Sequence, residues 1–172
     1  HLHNRREMPT RAAILSARDH ILERHPGLTV IGAHLASMED DLPGLAERLR
    51  RFPRFAVDLS ARTVALFRQD HALVRDFLLE FSDRILWGSD AVQRTPHSAL
   101  PAEERQRQLE RYAIGYPASE AFYGGTGTVQ YGPYQTEGLG LPLDVVRRLF
   151  LDNAFAWYPR LRVWQRTERA TP

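Results

Sequence analysis

Three short apolar runs limit what this chain can fold into. Leu28–Ala33, Phe55–Leu59 and Arg84–Trp87 recur with a pitch of roughly 27–30 residues, the length of one strand-plus-helix unit when about 250 residues make eight of them. Each run is short, apolar and bounded by turn residues, which is the pattern of a buried strand. The segments between them have the spacing of amphipathic helices. Strands that alternate with such helices imply a parallel sheet joined by right-handed crossovers, so the expected class is α/β.

In chain order, Thr10 after Pro9 is placed to cap a helix over residues 11–25, with Ile14, Leu15, Ile21 and Leu22 at helical spacing. His25-Pro26-Gly27 stops it. Asp40 or Asp41 opens the next helix, with Pro43 in its first turn and Leu42, Leu45, Ala46, Leu49 and Phe52 on one face. Residues 61–70 form a short helix or an ordered loop. A helix follows over 71–81, with Leu73, Val74, Phe77, Leu78 and Phe81 on one side.

After Asp90 the alternation stops. Residues 91–101 read as loop and 102–112 as a polar helix. Residues 114–141, rich in glycine and tyrosine, read as an irregular excursion on the active-site side, with a short hairpin around Val129–Tyr134. Gly124-Gly125-Thr126-Gly127 is not a phosphate loop, because no strand precedes it and no helix follows it. None of the strand ends carries the glycine-rich turn of a nucleotide-binding doubly wound domain. Pro142 opens a last helix through Leu143, Val146, Leu149 and Phe150 to about Tyr158, with a break at Asp152-Asn153. The expected organisation is one domain over 1–158 and a tail over 159–172.

Composition removes several function classes. There is no cysteine, so disulfides and thiolate metal sites are excluded and any metal must use histidine and carboxylates. All 23 basic residues are arginine, the net charge is +2, and the arginines are spread along the chain. They form no patch of the kind that binds nucleic acid. No apolar run approaches the ~20 residues of a membrane span, and no signal-peptide pattern occurs. A cytoplasmic protein acting on a small molecule, without nucleic-acid or membrane partners, is expected. The chain begins at His1, not Met, and its first ten residues read as loop, as in a piece that starts in mid-protein.

The candidate chemistry lies at strand ends. His34 follows the first run and Asp90 the third, with one strand between them. In a closed barrel, alternate strands feed the same inward layer, and chemistry sits at the strands' C-terminal ends. An imidazole and a carboxylate there can share a divalent metal or flank a metal-bound water. The plainer readings are a core histidine bonded to backbone for His34 and a loop or helix cap for Asp90. Asp58 and Arg84 read as structural, Asp58 pairing with Arg62 or Arg84 and Arg84 pairing with Asp83 or Asp58. His1 and His3 form a His-x-His with no strand before it, and are read as outside any ligand set. His20, His25, His71 and His97 read as helix-surface or loop residues. Asn153 reads as a cap or bridge near the last helix.

The stretches Ile31-Gly32-Ala33-His34-Leu35-Ala36-Ser37, Val57-Asp58-Leu59-Ser60-Ala61-Arg62 and Asp83-Arg84-Ile85-Leu86-Trp87-Gly88-Ser89-Asp90 resemble the second half of the amidohydrolase-related metal-dependent hydrolases, a family that includes several metal-dependent decarboxylases. Glu7-Met8-Pro9, Gly138-Leu139-Gly140-Leu141-Pro142 and Asp152-Asn153-Ala154 are similar to the same family. The resemblance implies the C-terminal part of a (β/α)8 TIM barrel with a divalent metal, often zinc. It implies that His34 is a metal-site or catalytic histidine and that Asp90 is a metal ligand and proton shuttle. The family's His-x-His on the first strand and its histidine on the fifth have no counterpart here.

The expected function is therefore metal-dependent hydrolysis of a small organic substrate by a metal-activated water. The alternatives are a metal-dependent decarboxylase, or a non-catalytic half-barrel that lacks most metal ligands. The exposed sheet edge of such a half invites self-association or pairing with a missing N-terminal half.

Overall fold

A computed structural model describes residues 8–91 and 99–161. Helix α1 (Arg11–Arg24) starts where Thr10 accepts the amide of Ala13 at 3.2 Å. Ile14 and Ile21 lie on one stripe, seven residues apart, and Leu15 and Leu22 on the next. Only the second stripe meets the core. Leu22 is buried, whereas Ile14 and Ile21 remain 53% and 52% exposed, so the four do not form one buried face as their spacing suggests.

The three apolar runs do form strands, each shorter than the run: β1 (Val30–Gly32), β2 (Phe55–Asp58) and β3 (Ile85–Leu86). They make one parallel sheet in the order β1-β2-β3. Gly32 lies beside Val57, and Asp58 beside Leu86. In a parallel sheet every strand points the same way, so the segments after Gly32, Asp58 and Leu86 emerge along one edge. A helical turn, α2 (Ala33–Ala36), follows β1 directly.

Helices cover this sheet as their patterning requires. In α3 (Leu42–Arg51), Asp41 caps the Gly44 amide at 2.9 Å, and Leu42, Leu45, Ala46 and Leu49 are buried, as is Phe52 just beyond. Each large side chain buried in this way contributes about 1.5–3 kcal/mol. A short helix, α4 (Thr63–Phe67), occupies the stretch left open by the sequence. In α5 (His71–Glu80), capped by Asp70, Val74, Phe77 and Leu78 are buried while Leu73 stays 41% exposed. His71 is not a free surface histidine. Its Nε2 meets the Thr136 hydroxyl at 2.9 Å, and its ring stands edge-on to Phe122. His20 and His25 are exposed, as expected. His1, His3 and His97 lie outside the described residues.

The largest departure from expectation is α6 (Ala102–Gly124), which extends the expected polar helix through residues 114–124, the first part of the segment read as irregular. Gly115, Pro117 and Gly124 all sit within it. An interior proline costs a helix about 3 kcal/mol, and the packing of Ala118, Phe122 and Tyr123, all buried, offsets that cost. Beyond it, β4 (Thr128–Tyr131) and β5 (Tyr134–Glu137) form the expected antiparallel hairpin. Its two-residue loop is Gly132-Pro133, with Gly132 at φ +57°, a first loop position that only glycine fills easily. The last helix is α7 (Leu143–Arg147), a π-helical turn (Arg148–Asp152) and α8 (Asn153–Trp157). The expected break at Asp152-Asn153 is instead this wider turn, whose Leu149 carbonyl accepts the Trp87 amide at 2.7 Å. Among the described residues no helix is long and apolar enough to cross a membrane.

Asn153 is the bridge that the sequence suggested. Its buried amide donates to the Ser82 and Ile85 carbonyls, both at 2.7 Å, and so ties α8 to the start of β3. Asn153→Ala strands two buried carbonyls, each left-over group costing about 1–3 kcal/mol. A loss of about 2–4 kcal/mol is expected in urea unfolding, with the same fall for Asn153→Leu.

Tyr123 gives a pH dependence. It is fully buried, and its hydroxyl meets Thr63 Oγ1 at 3.2 Å. Burial pushes its pKa up, and the Thr63 bond opposes this only in part. A raised folded-state pKa means that the contribution is whole below the unfolded value of about 10. It is lost as pH climbs from there towards the folded value. Stability measured by urea is expected to fall above about pH 10, with a shallower fall in Tyr123→Phe.

Candidate functional site

Four consecutive non-glycine residues after β1 adopt left-handed backbone: His34 (φ 58°), Leu35 (φ 52°), Ala36 (φ 54°) and Ser37 (φ 59°). Left-handed turns of L-residues cost about 1–2 kcal/mol per residue, and such strain persists only where the surroundings over-determine it. They do so here. Ser37 and Met38 amides donate back to the His34 and Leu35 carbonyls at 2.9 and 3.0 Å. Leu35, Ala36 and Met38 are buried. Arg18 donates to the Ala36 carbonyl at 3.1 Å, and Arg11 to the Ser37 carbonyl at 2.6 Å. A Cβ on Gly32 would stand 2.6 Å from the Ala36 Cβ, so the turn can close over β1 only because residue 32 is glycine.

Asp58 holds this turn from the neighbouring strand. Its Oδ1 accepts the His34 amide at 2.9 Å and the Ser60 amide at 3.0 Å. The expected pairing of Asp58 with Arg62 or Arg84 is therefore wrong. Two amides emerging along the same edge are nearer than either guanidinium. Arg62 pairs with Glu39 at 3.0 Å, and Arg84 lies 3.8 Å from Asp83 and donates to the Leu49 carbonyl.

The result is an oriented imidazole. His34 Nδ1 lies 2.8 Å from the Ser60 carbonyl. A carbonyl only accepts, so Nδ1 carries the proton and the lone pair of the neutral ring lies on Nε2. This is the arrangement by which proteins orient a histidine to receive a metal or a proton. It also fits a histidine bonded to backbone for structure alone, but the ring is only half-buried and its Nε2 makes no hydrogen bond among the described residues.

Ser60 links the middle strand end to the third. Gly88 approaches it so closely that a Cβ there would meet Ser60 Oγ at 2.4 Å. The carboxylate of Asp90 follows two residues later. Asp90 is exposed, sits at φ 55°, and makes no hydrogen bond or ion pair among the described residues. Left-handed backbone at a non-glycine residue is uncommon, and aspartate tolerates it better than most. The structure thus sets the His34 and Asp90 segments along one sheet edge, joined through Ser60, without direct contact between the two side chains. Among the described residues, no group of three or more His, Asp or Glu side chains could hold a metal ion.

Beneath the edge lies a cavity of about 170 Å³. Trp87, Gly88 and Ser89 line it together with Ser119 of α6 and Tyr131 of β4. Neither His34 nor Asp90 lines it.

Sequence reasoning placed His34 and Asp90 at strand ends but did not find the left-handed turn, the role of Asp58, or the carbonyl contacts of Arg11 and Arg18. The Asp58-x-Ser60 spacing, which allows a side chain to bond the amide two residues on, is the one signal that bore on Asp58. No residue in His34–Ser37 marks left-handed backbone.

A family model described as amidohydrolase matches residues 1–160. No curated protein and no solved structure matches the chain.

Proposed function

Because this chain belongs to the amidohydrolase family, we propose that it is a metal-dependent hydrolase of a small organic substrate. Its site lies at the C-terminal edge of β1-β2-β3, with His34 and Asp90 as the chemical groups. The three parallel strands, each followed by helix, support reading the sheet as the last part of a (β/α)8 barrel, whose chemistry lies at that edge.

The observation that carries the proposal is the orientation of His34, with Nδ1 bonded to the Ser60 carbonyl at 2.8 Å and Nε2 without a hydrogen bond among the described residues. A catalytic zinc needs about three protein ligands and an open position. His34 Nε2 and the Asp90 carboxylate have the right chemistry for two of them, and the described residues supply no third. A bound divalent metal, zinc first, would polarise a carbonyl and acidify a water. Asp90 would be the group to take a proton and return it to a leaving atom, since its carboxylate bonds to nothing among the described residues. His34 is the fixed group that steadies developing charge. Asp58, through the His34 amide, holds the turn that aims the ring.

The test is metal analysis and turnover of the full-length gene product against amides, esters and lactones, with parallel detection of carbon dioxide from small carboxylic acids. Stoichiometric metal with hydrolysis supports the proposal. Carbon dioxide release without hydrolysis moves the chain to the decarboxylases, and absence of both leaves the non-catalytic half-barrel.

A further inference from the structure

Every non-glycine residue with left-handed backbone among the described ones lies just past a strand end: His34–Ser37 after β1, Ala61 after β2 and Asp90 after β3. Strain of this kind gathers at functional sites and needs surroundings that enforce it. Ala61, at φ 54°, is the strained residue of the middle strand end.

The Arg62 amide donates to the Leu59 carbonyl at 2.9 Å, which closes a four-residue turn with Ser60 and Ala61 at its centre. Of those two, only Ala61 has a positive φ, so the turn is of type II. Types I and II share their ends and differ by a half-rotation of the central peptide. The ψ of the first central residue moves from about −30° to about +120°, and the φ of the second from about −90° to about +80°. Here that peptide carries the Ser60 carbonyl and the Ala61 amide. Its carbonyl is the group 2.8 Å from His34 Nδ1. The flanks are held: the Leu59 amide donates to the Leu86 carbonyl at 2.8 Å, and the Ser60 amide to Asp58 Oδ1 at 3.0 Å. The Ala61 amide makes no hydrogen bond among the described residues. The central peptide is thus the one part left to rotate, and the sign of φ at residue 61 decides which way it faces. A type I turn would present the Ala61 N–H to the ring in place of the carbonyl. Nδ1 would then have to accept, the ring proton would move to Nε2, and Nε2 would lose its lone pair.

We propose that Ala61 is a positioning residue. Its left-handed φ keeps the Ser60 carbonyl on His34 Nδ1, and so selects the tautomer that leaves the lone pair on Nε2. The use of that tautomer in catalysis rests on the hydrolase reading; the tautomer itself does not.

Three substitutions at Ala61, an exposed position, separate backbone handedness from side-chain size. Glycine takes positive φ freely, asparagine tolerates it, and valine, close to asparagine in size, does not. The full-length product is labelled with ¹⁵N-histidine, and its metal is removed by chelation. The ring nitrogens of His34 are read by long-range proton–nitrogen correlation at about pH 8.5, two units above the usual histidine pKa of about 6.5. The His34 signals are identified by their loss in His34→Asn. The native protein, Ala61→Gly and Ala61→Asn are expected to carry the proton on Nδ1. In Ala61→Val the proton leaves Nδ1 for Nε2. Zinc affinity and turnover of the same variant are expected to fall about 10–100-fold, the range for losing the partner that orients a metal-ligating histidine, with Ala61→Asn restoring both. A proton on Nε2 in the native protein overturns the proposal without requiring any variant to fold. Ala61→Val with its proton still on Nδ1, or Ala61→Asn without it, overturns the proposal as well. A tautomer that follows residue 61 while zinc binding and turnover do not would keep Ala61 as the positioning residue and remove His34 from the chemistry.

Discussion

Asp90→Asn is expected to lower kcat by about 10²–10⁴-fold, the range that a positioned acid–base group supplies, with little change in stability. The substitution suits the site because asparagine tolerates left-handed backbone as aspartate does, and Asp90 holds φ 55°. Alanine there would add strain and confuse the two effects. The Asp90 side chain bonds to nothing among the described residues, so folding has little to lose. Turnover of the full-length product and urea unfolding of the same sample check it. A fall in stability matching the fall in rate would make Asp90 a structural residue.

Asp58→Ala carries the largest expected effect on stability. Both amides that it accepts, His34 and Ser60, bond the same oxygen at 2.9 and 3.0 Å. Hydrogen bonds to a charged group contribute about 1.5–3 kcal/mol each, so losing the pair costs about 3–5 kcal/mol. The left-handed turn then loses its clamp from β2, and the His34 ring its aim. Asp58→Asn keeps a carbonyl oxygen at the same place and can accept both amides without the charge. Its expected cost is about 1 kcal/mol, with most activity retained. The ordering Ala far below Asn, read from urea midpoints and kcat together, is the check. Equal losses would mean that the charge, not the oxygen, is what matters.

Much of this was open to reading from the residues. The β1-β2-β3 order follows from three apolar runs alternating with helices, and α3 from a clean apolar face after Asp41. The hairpin was visible in Tyr131-Gly132-Pro133-Tyr134. What stayed hidden had physical reasons. Helix α6 contains Gly115, Pro117 and Gly124, which oppose helix locally, and only the tertiary burial of Phe122 and Tyr123 overrides them. The turn His34–Ser37 has no glycine, so its handedness is imposed by Gly32, Asp58, Arg11 and Arg18, contacts that span the chain. Asp58 looked like half of an ion pair because composition shows charges, whereas backbone amides become partners only once strands align. His34 and Asp90 could be placed at strand ends by pattern, but the proton on Nδ1 follows from the Ser60 carbonyl alone.

The decisive measurement is anomalous diffraction at the zinc edge from crystals of the full-length product grown with zinc. An ion within about 2.0–2.2 Å of both His34 Nε2 and an Asp90 oxygen, the bond lengths of zinc to nitrogen and carboxylate, is the expected result. Zinc bound elsewhere, or held by neither side chain, would contradict the assignment of this strand edge as the metal site.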